Sequence, residues 1–175
     1  MTELLEKAEE DTEFEEEDSQ LDKYLTFQIG KEVFGIEIKH VTEIVGIQVI
    51  TEIPDMPEFI RGVINLRGRV IPIVDVRLRF HMPFRDYDDR TCVIVVTHDE
   101  HAVGLVVDTV NEVAVIPEQD RCPPPRAGGA CSGRFVQAMG KVGDKVKILL
   151  DLQKLLDDEG LDLENTEALI GENTI

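Results

Sequence analysis

Residues 33–44, VFGIEIKHVTEI, recur later in the chain as residues 102–113, AVGLVVDTVNEV. The two segments share a glycine, at Gly35 and Gly104, then a valine and a glutamate, and apolar residues match at four further positions. This pattern favours an internal duplication over a chance similarity between two β-rich segments. The chain is therefore predicted to contain two related halves.

A second match follows the first in the same order. Residues 73–76, IVDV, align with residues 149–152, LLDL, and each segment contains an aspartate placed to cap a short helix, Asp75 or Asp151. The second half is longer by a net insertion, which we place in the proline- and glycine-rich residues 117–133. Both halves are expected to share one order of strands and one terminal helix.

Short apolar or alternating runs between turn residues predict strands throughout the middle of the chain. The predicted strands are 24–29, 33–38, 45–53, 63–66, 70–74, 91–97, 102–107, 113–116, 135–139 and 146–150. Short helices are predicted at 75–81 and from Asp151 to near Gly160. The fold class is thus all-β, with five strands in each half, about 24–80 and 90–156, closing into two small barrels with a groove between them.

The net charge of −18 is concentrated at the two ends of the chain. Residues 1–20 hold ten acidic residues and one lysine, and residues 157–175 hold seven acidic residues and no base. Such runs repel themselves and bury little apolar surface, so 1–20 and 158–175 are predicted to be flexible acidic tails. Their expected role is solubility, with screening of a basic partner as the alternative.

The location of the protein is expected to be the cytoplasm. The first 20 residues are acidic, whereas a secretory signal begins with a basic segment. The three cysteines, Cys92, Cys122 and Cys131, are an odd number and are expected to be reduced thiols. The sequence contains no stripe of basic residues, so binding to nucleic acid or to an anionic membrane surface is not expected.

Motifs for catalysis and cofactors are not found in the sequence. The glycines at Gly133 and Gly140 are too far apart for a phosphate-binding loop, and Val142 stands where serine or threonine would bind magnesium. Asp75 and Asp108 are a candidate carboxylate pair without an associated nucleophile. We therefore predict that the chain is not an enzyme and needs no cofactor.

Two groups of residues contain side chains of the kinds that bind metals. Residues 98–101, HDEH, fit a solvated hairpin turn better than a set of zinc ligands. Cys122 and Cys131 flank the insertion at a spacing that matches no common zinc finger, so free thiols are favoured over a clip. No metal is predicted.

Residues 57–77, PEFIRGVINLRGRVIPIVDVR, combine an apolar strand pair with a tight turn and several arginines. Arg69, Arg77 and Arg79 are interpreted as ordinary surface residues. Arg67 lies within the turn and is held more rigidly, so it is predicted to pair with an acid such as Glu43, bracing one barrel or presenting its guanidinium to a partner.

This segment closely resembles the CheW family, above all in NLRG at 65–68 followed by VIPIVD at 70–75. The similarity extends over roughly residues 21–157, including the opening YLTF at 24–27 and VGLVVD at 103–108. The resemblance implies two fused five-stranded SH3-like barrels, in agreement with the duplication.

The resemblance also implies a function. CheW-like proteins are non-catalytic adaptors that bridge the cytoplasmic tip of methyl-accepting chemotaxis receptors and the regulatory domain of the CheA histidine kinase, within membrane receptor arrays. The positions that match the family's partner-binding or supporting residues are Ile38, Val41, Glu43, Gly62, Arg67, Cys92, Val93 and Gly104. An exposed apolar patch around Ile38 and Val41 is expected to dock on the kinase.

Other functions are less well supported by the sequence. The alternatives within the family are a docking module of the CheV type, which would need a receiver domain after residue 157, and an adaptor of a chemosensory pathway other than motility. A barrel that binds nucleic acid is disfavoured by the acidic charge and the few aromatic residues. A metal-dependent enzyme built on His98, His101 and the cysteines is disfavoured because no complete set of ligands is evident.

Overall fold

The computed structural model describes residues 20–124 and 134–157. Apart from Gln20, the acidic tails predicted at 1–20 and 158–175 lie outside the described residues, as does Cys131. None of the helices in these two ranges is long and apolar enough to cross a membrane.

The described residues form eleven strands and two short α-helices, numbered in chain order. The strands are β1 Lys23–Ile29, β2 Glu32–Glu37, β3 Val41–Gly46, β4 Ile60–Leu66, β5 Arg69–Asp75, β6 Cys92–His98, β7 His101–Val107, β8 Thr109–Val115, β9 Arg121–Cys122, β10 Val136–Val142 and β11 Lys145–Leu150. The helices are α1 Val76–Arg79 and α2 Leu152–Leu156, and 3-10 helices lie at Ile38–His40 and Glu118–Asp120.

The strands form two sheets, which confirms the predicted all-β class. The six-stranded sheet has the order β8-β1-β2-β11-β10-β9, and the five-stranded sheet has the order β3-β6-β7-β5-β4. The sheets do not follow the two halves of the sequence, because β1 and β2 join the later strands while β6 and β7 join the earlier ones. The halves predicted at about 24–80 and 90–156 therefore exchange strand pairs and do not each form one sheet.

The strand pairing repeats the internal symmetry of the sequence. Gly104 of β7 pairs with Ile73 of β5 in parallel, and Gly35 of β2 pairs with Leu149 of β11 in parallel. These are the positions that the sequence alignment made equivalent. The duplication thus extends from residue identity to register, with β2 in the place of β7 and β11 in the place of β5.

Both predicted helix caps are present. The Asp75 carboxylate accepts a hydrogen bond from the backbone N–H of Leu78 at 3.3 Å, and Asp151 accepts one from Lys154 at 3.2 Å. Each satisfies a backbone donor that the first turn of a helix leaves unpaired. The first helix is shorter than the predicted 75–81, since His81 adopts a φ of 60° beyond its end.

One predicted strand is misplaced and one strand was missed. The run predicted at 45–53 is a strand only up to Gly46, and β3 begins earlier, at Val41. Beyond it, Thr51 pairs with Val63 as an isolated bridge. Two-residue β9 lies inside the predicted insertion, and its Cys122 pairs with Met139. Burial alternates regularly along β3, so the first error is one of bounds, whereas two-residue β9 is too short for alternation to indicate a strand.

The main core lies between the two sheets. It is built from alternate residues of strands in both sheets and from α2, represented by Phe27, Ile94, Leu105 and Leu155, each fully buried. The intervening residues of β6, such as Val93, belong to a second cluster on the opposite face of the five-stranded sheet. Because side chains alternate along a strand, residues 93–96 of β6 are buried on both faces and contribute to two cores.

Arg79 was predicted to be an ordinary surface residue, and this prediction is wrong. It is 3% exposed, and its Nε donates to the carbonyl oxygen of Leu155 at 2.9 Å. Its guanidinium also stacks on the rings of Phe59 and Phe135, at 4.6 and 4.5 Å from their centroids. Arg79 therefore ties α1 to α2, the equivalent helices of the two halves, through an internal cation–π contact. Arg77 is also largely buried and pairs with Asp108.

Candidate partner-binding site

The hairpin between β4 and β5 holds Arg67 in a fixed position. Arg67 and Gly68 both have positive φ, 54° and 83°, which is typical of the two-residue turn that matches the twist of a hairpin. The side-chain oxygen of Asn65 accepts a hydrogen bond from the Gly68 N–H at 2.9 Å. The NLRG motif thus encodes the turn itself.

Arg67 forms the ion pair that the sequence predicted. Its Nη2 lies 3.0 Å from Oε2 of Glu43, with 76% of the Arg67 side chain and 26% of the Glu43 side chain exposed. Exposed pairs of this kind contribute about 0–1 kcal/mol to stability. The pair orients a solvent-accessible guanidinium more than it stabilises the fold.

Gly62 makes a close approach of two backbone segments possible. Its φ is 136°, and a Cβ at this position would lie 2.0 Å from the carbonyl oxygen of Thr51. Thr51 and Val63 exchange backbone hydrogen bonds of 2.8 and 2.9 Å beside it. Gly62 is buried, and its lack of a side chain allows this segment to lie against β4.

Gly104 and Val93 also lie beneath the surface. A Cβ on Gly104 would lie 2.5 Å from Cδ1 of Ile73 and 2.8 Å from Cγ1 of Val93, and Val93 is fully buried. These two positions set the packing of β5, β6 and β7. Both positions are therefore part of the packed interior of this sheet.

Ile38 and Val41 do not form the exposed apolar patch that was expected. Both are partly buried and pack against the main core. The exposed apolar side chains in this part of the chain are Ile44, 43% exposed, and Val49, 90% exposed. Ile44 was missed because the strand was predicted to begin at Val45, although alternation from Val41 would have placed it outside.

Cys92 lies at the beginning of β6, opposite Gly46 of β3. It is partly buried, and its Sγ is 3.2 Å from the carbonyl oxygen of Arg90. Glu43 pairs with Val95 on the same two strands. The structure therefore places Cys92, Val93 and Glu43 along one strand pair, with Arg67 reaching it from the β4–β5 hairpin.

A polar cleft of about 420 Å³ lies where residues of the two sheets meet. Glu37, Lys39 and His40 line one part, and His98 and Asp151 line another. Burial pushes the pKa of Glu37 up, but the hydrogen bond and charge of Lys39 outweigh it, so this pKa lies below its ordinary value. Burial lowers the pKa of His40. This cleft is lined mainly by polar and charged groups from both sheets.

Comparison with known proteins decides the family. The family model described as CheW-like domain matches residues 23–160. The chain belongs to the CheW family. The chemotaxis protein CheW of Klebsiella aerogenes is 36% identical over 146 residues, covering 83% of this chain and 88% of that protein.

Other relatives agree with this assignment. FrzA of Myxococcus xanthus is 30% identical over 135 residues, which cover 77% of this chain and 84% of that protein. The crystal structure of the scaffolding protein TtCheW from Thermoanaerobacter tengcongensis is similar with a TM-score of 0.73 and 37% identity, covering 79% of this chain and 94% of that one. The predicted CheW family, the all-β fold class and the role of a chemotaxis adaptor are confirmed.

Proposed function

We propose that this CheW-family chain is a non-catalytic adaptor that couples methyl-accepting chemotaxis receptors to the regulatory domain of a CheA-type histidine kinase. The observation that carries the proposal is the exposed guanidinium of Arg67, fixed by a rigid turn and an ion pair with Glu43. The chain is proposed to work in the cytoplasm and to join receptor arrays at the membrane through its partners.

The proposed kinase contact centres on the strand pair that carries Glu43. Ile44 supplies apolar area at the outer side of β3, an edge strand of its sheet. Arg67 adds a directed charge beside it, and arginine is favoured at interfaces because its planar fork binds carboxylates with two parallel hydrogen bonds. Ile38 and Val41 are proposed to shape this surface from beneath, since they are partly buried against the core.

The buried positions are proposed to act indirectly. Gly62, Val93 and Gly104 hold β4, β5, β6 and β7 at close distance, so substitutions there would displace the surface. Cys92 is proposed to affect the end of the same strand pair. The cleft between the sheets is proposed to receive the receptor helix, and weak contacts repeated across an array add up through avidity.

The test is co-sedimentation of the full chain with receptor-containing membranes and a CheA-type kinase, with kinase autophosphorylation as the readout. We expect the chain to join the pellet and to raise receptor-coupled kinase activity. Arg67→Ala should reduce both effects, while Arg69→Ala, an exposed arginine of the same hairpin, should leave them unchanged. A wild-type chain that stays in the supernatant with both partners present would exclude the adaptor role.

A further inference from the structure

Residues 98–101 were predicted to form a solvated hairpin turn, but His98 lies outside that turn. The turn consists of Asp99 and Glu100, with φ of 47° and 69°, while His98 is the last residue of β6 and pairs with His101. The His98 side chain is only 9% exposed. A buried imidazole at this position needs polar partners, because an unpaired polar group in a protein interior is costly.

Its partners are two carboxylates from different parts of the chain. The Nε2 of His98 lies 2.9 Å from Oδ1 of Asp157 and 3.4 Å from Oδ2 of Asp99. The three ligand-type atoms all lie within 4.8 Å of one another. These three residues are called the His98 cluster below.

The backbone holds each member of the cluster in place. His98 is fixed by strand pairing, Asp99 by the tight turn, and Asp157 by a 2.7 Å hydrogen bond from its N–H to the carbonyl oxygen of Gln153. β6 belongs to the five-stranded sheet, whereas Asp157 follows α2, which directly continues β11 of the six-stranded sheet. The cluster therefore joins the two sheets.

The chemistry of the cluster fits a borderline transition metal. Zinc takes imidazole nitrogen and carboxylate oxygen at about 2.0–2.2 Å, so ligand atoms around a tetrahedral ion are about 3.3 Å apart. The two distances from His98 Nε2, 2.9 and 3.4 Å, lie on either side of this value, and all three ligand atoms are within 4.8 Å of one another. Calcium and magnesium prefer sets made entirely of oxygen, so the imidazole favours zinc and similar ions.

We propose that His98, Asp99 and Asp157 bind one zinc-class divalent cation. Three protein ligands leave one of four coordination positions for water or a side chain of a partner. Because His98 and Asp99 line the cleft between the sheets, the ion would lie at its margin. The ion would clamp the end of α2 to the β6–β7 hairpin. This site does not depend on the adaptor function, and its test involves neither receptor nor kinase.

The first test is calorimetric titration of the full chain with Zn²⁺, together with the visible spectrum of bound Co²⁺. We expect one site per chain whose affinity falls about tenfold or more in His98→Gln and in Asp157→Asn. Asp99→Asn should weaken binding less, since its side chain is the most exposed of the three and its contact is longer. His81→Gln removes an exposed histidine outside the cluster and should bind as the wild type does.

A second readout separates ligation from a simple ion pair. A bound ion that joins the two sheets should raise the unfolding temperature of the wild type in Zn²⁺, and this rise should vanish in Asp157→Asn. If His98→Gln and Asp157→Asn bind Zn²⁺ as the wild type does, the ion binds to acidic residues outside the His98 cluster. If neither the wild type nor the variants bind, the cluster is an ion pair only. Either result overturns the proposal.

Discussion

Arg67 and Glu43 connect the two opposite edges of one sheet. Glu43 lies on β3 and Arg67 follows β4, and these strands are the first and the last of the order β3-β6-β7-β5-β4. The Thr51–Val63 bridge links the chain leaving β3 to the same β4 edge. The sheet therefore curves so that its edges approach each other, and the exposed guanidinium marks the place where they meet.

The first prediction separates bracing from recognition in this pair. Reversing both charges, in Glu43→Arg with Arg67→Glu, keeps an ion pair and should leave the free energy of unfolding within about 1 kcal/mol of wild type. Receptor-coupled kinase activity should be lost, because a partner would meet the wrong sign of charge. Urea unfolding and the kinase assay measure the two effects. Normal activity in the reversed pair would show that Arg67 is only a brace.

The second prediction concerns Gly62. Gly62→Ala should lower the free energy of unfolding by about 3 kcal/mol or more, because the left-handed backbone and the contact with the Thr51 carbonyl are both unfavourable to a Cβ. Gly68→Ala is the matched control, since its φ is also positive but a Cβ there meets no atom within 4 Å. It should cost only about 1 kcal/mol. Equal losses in urea unfolding would contradict the role assigned to the Thr51 contact.

The third prediction concerns the packing of Gly104. Gly104→Ala should destabilise the fold by about 1–3 kcal/mol, because its Cβ would overlap Cδ1 of Ile73. Ile73→Val removes that atom. The loss of unfolding free energy in the double variant should therefore be smaller than the sum of the losses in the two single variants, by about 0.5 kcal/mol or more. The measurement is a double-mutant cycle in urea. Strict additivity would show that the overlap is relieved in another way.

The fourth prediction is the stability at high pH. Burial raises the pKa of Tyr87, and the hydrogen bond and charge of Asp75, whose Oδ2 accepts from the Tyr87 hydroxyl at 2.7 Å, raise it further. The unfolded chain releases this proton from about pH 10, while the folded chain keeps it. This contribution to stability is thus complete below about pH 10 and is lost as the pH rises toward the folded pKa.

Tyr87→Phe should therefore show a shallower loss of stability above about pH 10 than the wild type. Tyr24→Phe is the comparison, since the Tyr24 pKa is also raised, chiefly by burial, but its hydroxyl lies 3.1 Å from Arg121, whose charge lowers the pKa. Its effect on the slope should be the smaller of the two. Urea unfolding across this pH range, with phenolate absorbance as the titration readout, provides the test. An identical slope in wild type and Tyr87→Phe would refute the prediction.

The sequence alone determined the features whose causes are local. Alternating apolar runs located most strands, Asp75 and Asp151 identified the helix caps, and NLRG at 65–68 identified the tight turn with its exposed arginine. The recurring glycines at 35 and 104 also revealed the duplication. These features follow from side-chain period, capping chemistry and backbone freedom, which neighbouring residues specify.

Only the tertiary structure decided which strands share a sheet. A strand with two apolar faces, such as β6, can pair with strands of either half. In the fold, β1 and β2 lie in the sheet of the later strands and β6 and β7 in the sheet of the earlier ones, because this arrangement packs both cores together. Likewise, the burial of His98 beside Asp157 and of Arg79 against Leu155 joins residues far apart in the chain. Local pattern carries no information on such distant pairs, because their stability arises from packing that exists only in the complete fold.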